Sequence, residues 1–308
     1  MIARLVLARL AQLLPTALGA ATLVFLLLHL TPGDPVQARL GDAALPADQQ
    51  AMRHALHLDL PLWQQYLHYL AGVCDGDWGH SLIDGRDVRQ AIAAHLPATL
   101  QLTAASLALA MMLALPLGYL AARHAGNWRD ATAMVFSLFG VSIPNFWLGP
   151  MLMLLFAVWL GWLPVSGREQ PGSIVLPAIT LGTALAATLA RMVRASLLEA
   201  IQSDACRTAR AFGVRERHIW LRHAARLAAV PVVTSFGLQL GMLLAGSVIT
   251  ETVFDWPGLG LLTIEAIQRR DYPLAQGCIL VIALGYILAN MVADMLNLWL
   301  DPRQRMSR

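Results

Sequence analysis

The sequence predicts an all-α polytopic membrane protein with six transmembrane helices and both termini in the cytoplasm. Three observations predict it. Of 308 residues, 57% are hydrophobic and only 13% are charged, about half the charged fraction of a soluble domain. The apolar residues collect in six runs long enough to cross a bilayer. The basic residues, all 22 of them arginine, collect on one side of the membrane that those runs define.

The first run, Leu10–Leu30, follows Arg4 and Arg9. At about 20 residues it is long enough to span, so it reads as a retained first helix and not as the short core of a signal peptide. Residues 31–96 form the main external segment, which carries eight aspartates between Asp34 and Asp87. Within it, Leu58–Val73 has apolar residues at helical spacing and reads as a short helix at the membrane surface. Trp63, Tyr66, Tyr69 and Trp78 suit the water–lipid interface there.

Thr99–Ala122, Ala131–Leu160, Ile174–Met192, Val232–Thr252 and Gln276–Leu298 supply the other five spans, in a core of residues 97–308. The third span is long and contains Ser142-Ile-Pro-Asn145. A proline inside a helix removes a hydrogen bond, so this span is expected to be broken or bent and to end at Trp162. Irregular backbone at membrane depth needs protein or a water-filled cavity to cover it. Asn145 is therefore a candidate pathway residue, with a purely structural kink as the alternative. Turn-rich links follow at Gly161–Gly167 and Phe254–Gly260, then a short helix through Arg270 and a break at Asp271-Tyr-Pro273.

With the N-terminus inside, fifteen arginines fall in residues 1–9, 123–130, 191–226 and 299–308. The other seven lie outside, mostly in the long external segment, where charge weighs little in orientation.

No catalytic site is expected, because neither HExxH nor GxSxG occurs. Cys74, Cys206 and Cys278 lie far apart and read as free thiols. His54, His57, Asp59 and His68 could be drawn as a metal site, but ordinary surface histidines are the better reading, and no metal is expected. A phosphate-binding GxxxxGK[ST] loop needs a lysine. This chain has none, so any ATP must be bound by another chain. Within the spans, Asn290, Asp294 and Asn297 share one helical face. Asp294 is a candidate pathway residue, although hydrogen bonding between helices is the favoured role for the stripe. Gln239 is a weaker pathway candidate.

The sharpest signal is the polar interlude 196–226, with six arginines between two apolar runs. Ser203 or Asp204 is expected to cap a helix beginning near Ala205. Ala205, Thr208, Ala209 and Ala211 keep that helix thin, and Gly213 supplies a turn after Phe212. A second helix, Glu216–Ala229, is expected to lead to Pro231 just before the fifth span. A charged loop would explain the arginines, but not the small-residue helix and its glycine.

Asp204-Ala-Cys-Arg-Thr-Ala-Arg-Ala-Phe-Gly-Val214, Arg222-His-Ala-Ala-Arg226 and Val230-Pro-Val-Val-Thr234 together resemble the cytoplasmic loop of permease subunits of binding-protein-dependent ABC importers. The likeness is to the dipeptide/oligopeptide/nickel branch. Thr31-Pro-Gly-Asp-Pro35, Gly76-Asp-Trp-Gly79, Leu96-Pro-Ala-Thr-Leu100, Ser142-Ile-Pro-Asn145, Asp255-Trp-Pro-Gly-Leu-Gly260 and Arg270-Asp-Tyr-Pro273 extend it almost end to end. The general importer signature has Glu-Ala-Ala where this chain has Arg207-Thr-Ala209, a variant that the peptide/nickel branch resembles.

The resemblance implies a type I importer permease fold in a bacterial inner membrane. It also implies a coupling helix that fits a cleft on a cytoplasmic ATPase through Asp204, Arg207, Thr208, Ala209, Arg210, Ala211, Phe212 and Gly213. The implied partners are a second homologous permease, two ABC ATPase subunits that use ATP and Mg, and an extracytoplasmic substrate-binding protein. Membrane lipid surrounds the chain and no nucleic acid is expected. The expected cargo is a di- or oligopeptide, with nickel, a nickel chelate or glutathione as alternatives. A stand-alone secondary transporter or channel would predict buried coupling charges or inverted repeats. One intramembrane acid and no repeat speak against it.

Overall fold

The computed structural model describes residues 15–26, 36, 45–55 and 58–300; for residues 244–246, 294 and 297–300 it describes the backbone alone. Among the described residues the regular structure is helical, apart from one isolated bridge between His80 and Asp87. The chain forms two compact units, with boundaries inside two long helices: Met1–Thr99 with Pro257–Ile287, and Leu100–Trp256 with Leu288–Arg308.

The first unit contains α1 (Pro15–Leu26), α2 (Pro46–Ala55), α3 (Leu62–Asp75), the start of α4 (Val88–Arg123), α10 (Leu259–Gln268) and the first half of α11 (Tyr272–Leu300). Val24, Val88, Ile92, Leu259, Leu262, Leu274 and Cys278 are among its core residues. The expected short helix is present as α3, and its two tyrosines are half-buried against α1. The Tyr66 hydroxyl lies 2.5 Å from Thr22 Oγ1, and Phe25 packs against both Tyr66 and Tyr69. Burial pushes the Tyr69 hydroxyl up to about 12. Trp78 packs on the core, whereas Trp63 is exposed. In an apolar chain, aromatic side chains serve the core as readily as the interface.

The turn before α4 is built around two aspartates. Asp87 Oδ1 accepts from the amides of Arg89 (2.8 Å) and Gln90 (3.2 Å), capping α4. The Gln90 amide also holds the Asp87 carboxyl below the usual carboxylate range. Asp271, only 1% exposed, accepts from the Ser81 hydroxyl and from the amides of Leu82 (3.1 Å) and Leu274 (3.4 Å). One carboxylate thus caps α11 and pins loop 79–87. Asp271→Ala is expected to cost about 2–3 kcal/mol, the scale for hydrogen bonds to a charged group. Amide hydrogen exchange should show faster exchange confined to residues 79–87 and the first turn of α11. Thr99 Oγ1 caps α10 in the same way, accepting from the Leu259 amide at 2.7 Å.

The second unit contains the rest of α4, then α5 (Trp128–Ser142), α6 (Asn145–Leu152), α7 (Val175–Ile201), α8 (Asp204–Ala211), α9 (Ala225–Phe254) and the end of α11. α6 continues as a π-helix, Met153–Trp159, and a helical lead-in, Glu216–His218 with the π-helix Ile219–Ala224, enters α9. α7 is central: it packs against α5, α6, α8 and α9. The C-terminal end of α9 is closed by Gly167, whose amide donates to Phe254 O at 2.9 Å, and by Arg168 over the buried Trp256 ring.

Among the described residues, four helical stretches are long and apolar enough to cross a membrane: Val88–Arg123, Val175–Ile201, Glu216–Leu243 and Tyr272–Ala293. A bent pair, Trp128–Ser142 with Asn145–Trp159, makes a fifth if counted as one span. Of the expected first span, only Pro15–Leu26 lies in the described helix. The break at Ile143-Pro144 is present, with a bend of 99°.

Other boundaries differ for physical reasons. α4 begins at Val88, well before Thr99, because Asp87 caps it and Val88, Ala91 and Ile92 face the core. α7 runs past Met192 to Ile201 because the charge of Arg194, which ends the hydropathy run, is paired with Asp130. Pro231 does not separate two helices, and α9 continues through it.

Candidate functional site

The polar interlude folds as a knob at the end of α7. The chain leaves α7 at Ile201, turns at Gln202-Ser203 and enters α8. Ser203 stands at the cap position with extended backbone, but its hydroxyl donates back to Ala200 O at 2.7 Å and caps nothing. The expected side-chain cap is therefore absent. Asp204 is instead the first residue of α8, where its charge favours the helix dipole and lies 3.6 Å from Arg207.

α8 has two faces. Cys206 and Ala209 point inward, against Val193, Leu197 and Ala200 of α7 and Ile219, Ala224 and Ala228 of the following helix. Ala209 is 8% exposed, so it seats the knob and leaves the contact surface to its neighbours. Asp204, Arg207, Thr208, Arg210, Ala211, Phe212 and Gly213 are all exposed. Phe212 is 83% exposed. It is a large aromatic left uncovered by the described residues, at the tip of a polar knob, a signature of a binding surface.

The knob's shape is fixed by its glycine. Gly213 has φ +77, and its amide donates to Arg210 O (3.0 Å) while Val214 N donates to Ala209 O (3.1 Å). This is the Schellman pattern of a helix end, completed by Val214 packing on the cluster that holds Ala209. Arg210 Nε then reaches Glu216 Oε1 at 2.5 Å across the turn. Tyr119 and Trp220 meet edge-on at 6.1 Å behind it.

The three pathway candidates stand on three different helices. Asn145 is the first residue of α6, half-buried directly after the break. Gln239 is buried in α9. Asp294 lies in α11, its side chain outside the described residues, while Asn290 of the same stripe is half-buried. Among the described residues no group of three metal-ligating side chains occurs; His57 of the histidine set lies outside them. His68 lines a cavity of about 560 Å³ with Phe25, Tyr69, Trp78, Tyr272 and Gln276.

Sequence reasoning missed the ion pair between Asp130 and Arg194. Arg194 Nε and Nη2 donate to the two carboxylate oxygens of Asp130, each at 2.6 Å. The partners are 64 residues apart; each alone looked like an ordinary charge beside a membrane. The only sequence signal was an acid in the first turn of a helix that follows an arginine-rich end.

A bundle of membrane-length helices, ending in a rigid knob with an uncovered aromatic, is the architecture of a membrane component built to work with a partner. The chain belongs to the family described as "Binding-protein-dependent transport system inner membrane component", which matches residues 114–306. Residues 1–103 match "Binding-prot-dependent transport system membrane comp, N-term". The chain is thus a permease subunit of an ABC importer and a multi-pass inner membrane protein.

Among its relatives is the glutathione transport system permease protein GsiC of Pectobacterium atrosepticum, 43% identical over 96% of this chain and 97% of that one. GsiC of Escherichia coli K12 is 41% identical over 97% and 98%. Among solved structures, a chain of the inward facing MetNI methionine ABC transporter matches with TM-score 0.59 and 21% identity, over 69% of this chain and 97% of that one. At that identity the likeness establishes the fold alone.

Proposed function

We propose that this chain is the translocation-pathway subunit of an ATP-driven importer of glutathione, working by alternating access. Six spans in the type I arrangement, with both termini cytoplasmic, put the α8 knob in the cytoplasm. There it docks in a cleft on an ABC ATPase through Phe212, Gly213, Ala211 and the flanking Arg207 and Arg210. ATP with Mg closes the ATPase pair, the knobs of this chain and of a second permease move together, and the spans rock. A binding protein on the outer side delivers the cargo. Asn145, Gln239 and Asp294 are the proposed pathway residues.

The observation that carries the ATPase reading is the uncovered Phe212, held by a glycine-terminated helix in a chain without a lysine for phosphate binding. The substrate reading is carried by the near full-length likeness to glutathione permeases. Glutathione is itself a small peptide, so it narrows the di- and oligopeptide expectation without leaving its chemical class. The test is a calorimetric titration of the cognate binding protein, with uptake competition in cells. Glutathione is expected to bind at least ~10-fold more tightly than dipeptides or nickel chelates, a difference of about 1.4 kcal/mol. Binding of dipeptide or nickel with no glutathione binding would overturn the assignment.

A further inference from the structure

We propose that Asp130 and Arg194 form a positioning clasp that carries movement of the α8 knob to the break at Pro144; this rests on the coupling role proposed above for α8. The chain of contacts is continuous within one unit. α8 is seated through Cys206 and Ala209 on Val193, Leu197 and Ala200 of α7. It cannot shift without taking the last turns of α7 with it. Arg194 stands on those turns and grips Asp130 at the start of α5 with two parallel hydrogen bonds of 2.6 Å. Such a bidentate pair fixes direction as well as distance. The Gly126 amide donates to Asp130 Oδ2 at 3.0 Å, tying the preceding turn to the same carboxylate.

The rest of α5 packs closely on α7 through small side chains. Asp130, Ala133, Ser137 and Gly140 share one face by helical spacing. The first three are buried. At Gly140 the helices come so close that an added Cβ would sit 3.0 Å from Ala187 Cβ and 3.1 Å from Thr183 O. Small residues allow close approach but bury little apolar area. To that packing the ion pair adds a directional, bidentate link at the end of α5. Asp130 is 5% exposed, so the pair is less screened than a surface one. α5 then ends at Ser142, and the chain turns through 99° into α6, whose first residue is Asn145. A push on α8 thus reaches a proposed pathway residue through α7, the clasp and α5.

The experiment uses the complete importer in proteoliposomes and reads glutathione moved per ATP hydrolysed, beside the amount of assembled complex. Arg194→Lys keeps the charge but loses the paired geometry, and is expected to lower transport per ATP about threefold. Asp130→Asn/Arg194→Leu leaves no orphaned charge, so assembly should stay near the wild-type level, while transport per ATP falls at least tenfold. A merely structural pair would give the opposite: the double variant would assemble and transport per ATP as wild type does, and that result overturns the clasp. So does a double variant that assembles poorly while its assembled fraction remains fully coupled. A wild-type importer that moves substrate without ATP would overturn the α8 coupling role itself, and is told apart by that control.

Discussion

Phe212→Ala is expected to weaken docking of the permease on its ATPase by roughly 30-fold, about 2 kcal/mol, and to abolish uptake in cells. Aromatic anchors that become fully buried in a partner's pocket carry energies of that order or more. Phe212 makes so little contact with its own chain that its removal leaves the fold unchanged. Loss of association with unchanged thermal stability is therefore the diagnostic combination, read by pull-down and by thermal unfolding in detergent. Gly213→Asp acts on the same surface by another route. Nothing lies within 4 Å of an added Cβ, so the cost is not a clash. It is the left-handed backbone at φ +77, disfavoured by about 1 kcal/mol or more for a residue with a Cβ, together with a new negative charge on the docking tip. Full association and full uptake in both variants would contradict the coupling role of α8.

Gly237→Ala is expected to be the most damaging single methyl in the chain. The crossing of α9 with the end of α11 leaves no room there: an added Cβ would stand 1.8 Å from Ala293 Cβ and 3.1 Å from Ala293 Cα. Real atoms cannot approach so closely, so one helix must move, at about 3 kcal/mol or more by analogy with overpacked cores. The yield of folded protein should drop and its thermal midpoint fall. Ala293→Gly removes the opposing methyl. The double variant Gly237→Ala/Ala293→Gly is therefore expected to recover most of the loss, whereas a glycine needed for some other reason would show no such rescue.

Which features the sequence revealed follows from the range of the interactions that create them. The knob was legible because its determinants are local. Small residues, Phe212 and Gly213 lie within ten positions, and the Schellman turn needs nothing from afar. The break at Pro144 was legible for the same reason. The cap was misread because Ser203 had a competing acceptor one turn back at Ala200 O. Helix ends differed where a cap or a charge partner was supplied, locally by Asp87 for α4 and from afar by Asp130 for Arg194. Arg194 with Asp130 extends α7, and Asp271 with Ser81 and Leu82 holds the loop before α4. Those pairings are long-range and leave no periodic trace. The roles of Tyr66 and Tyr69 turned on α1, whose packing against α3 no local pattern announces.

This chain is proposed to supply the pathway while a partner supplies the energy, through the α8 knob. The most direct test of this proposal is accumulation of labelled glutathione in proteoliposomes that contain this chain, its paired permease, the ATPases and the binding protein. Accumulation is expected only with ATP on the ATPase side, and is expected to disappear with Phe212→Ala while the complex components remain folded. Accumulation by this chain alone without ATP, or ATP-driven uptake undiminished by Phe212→Ala, would contradict it.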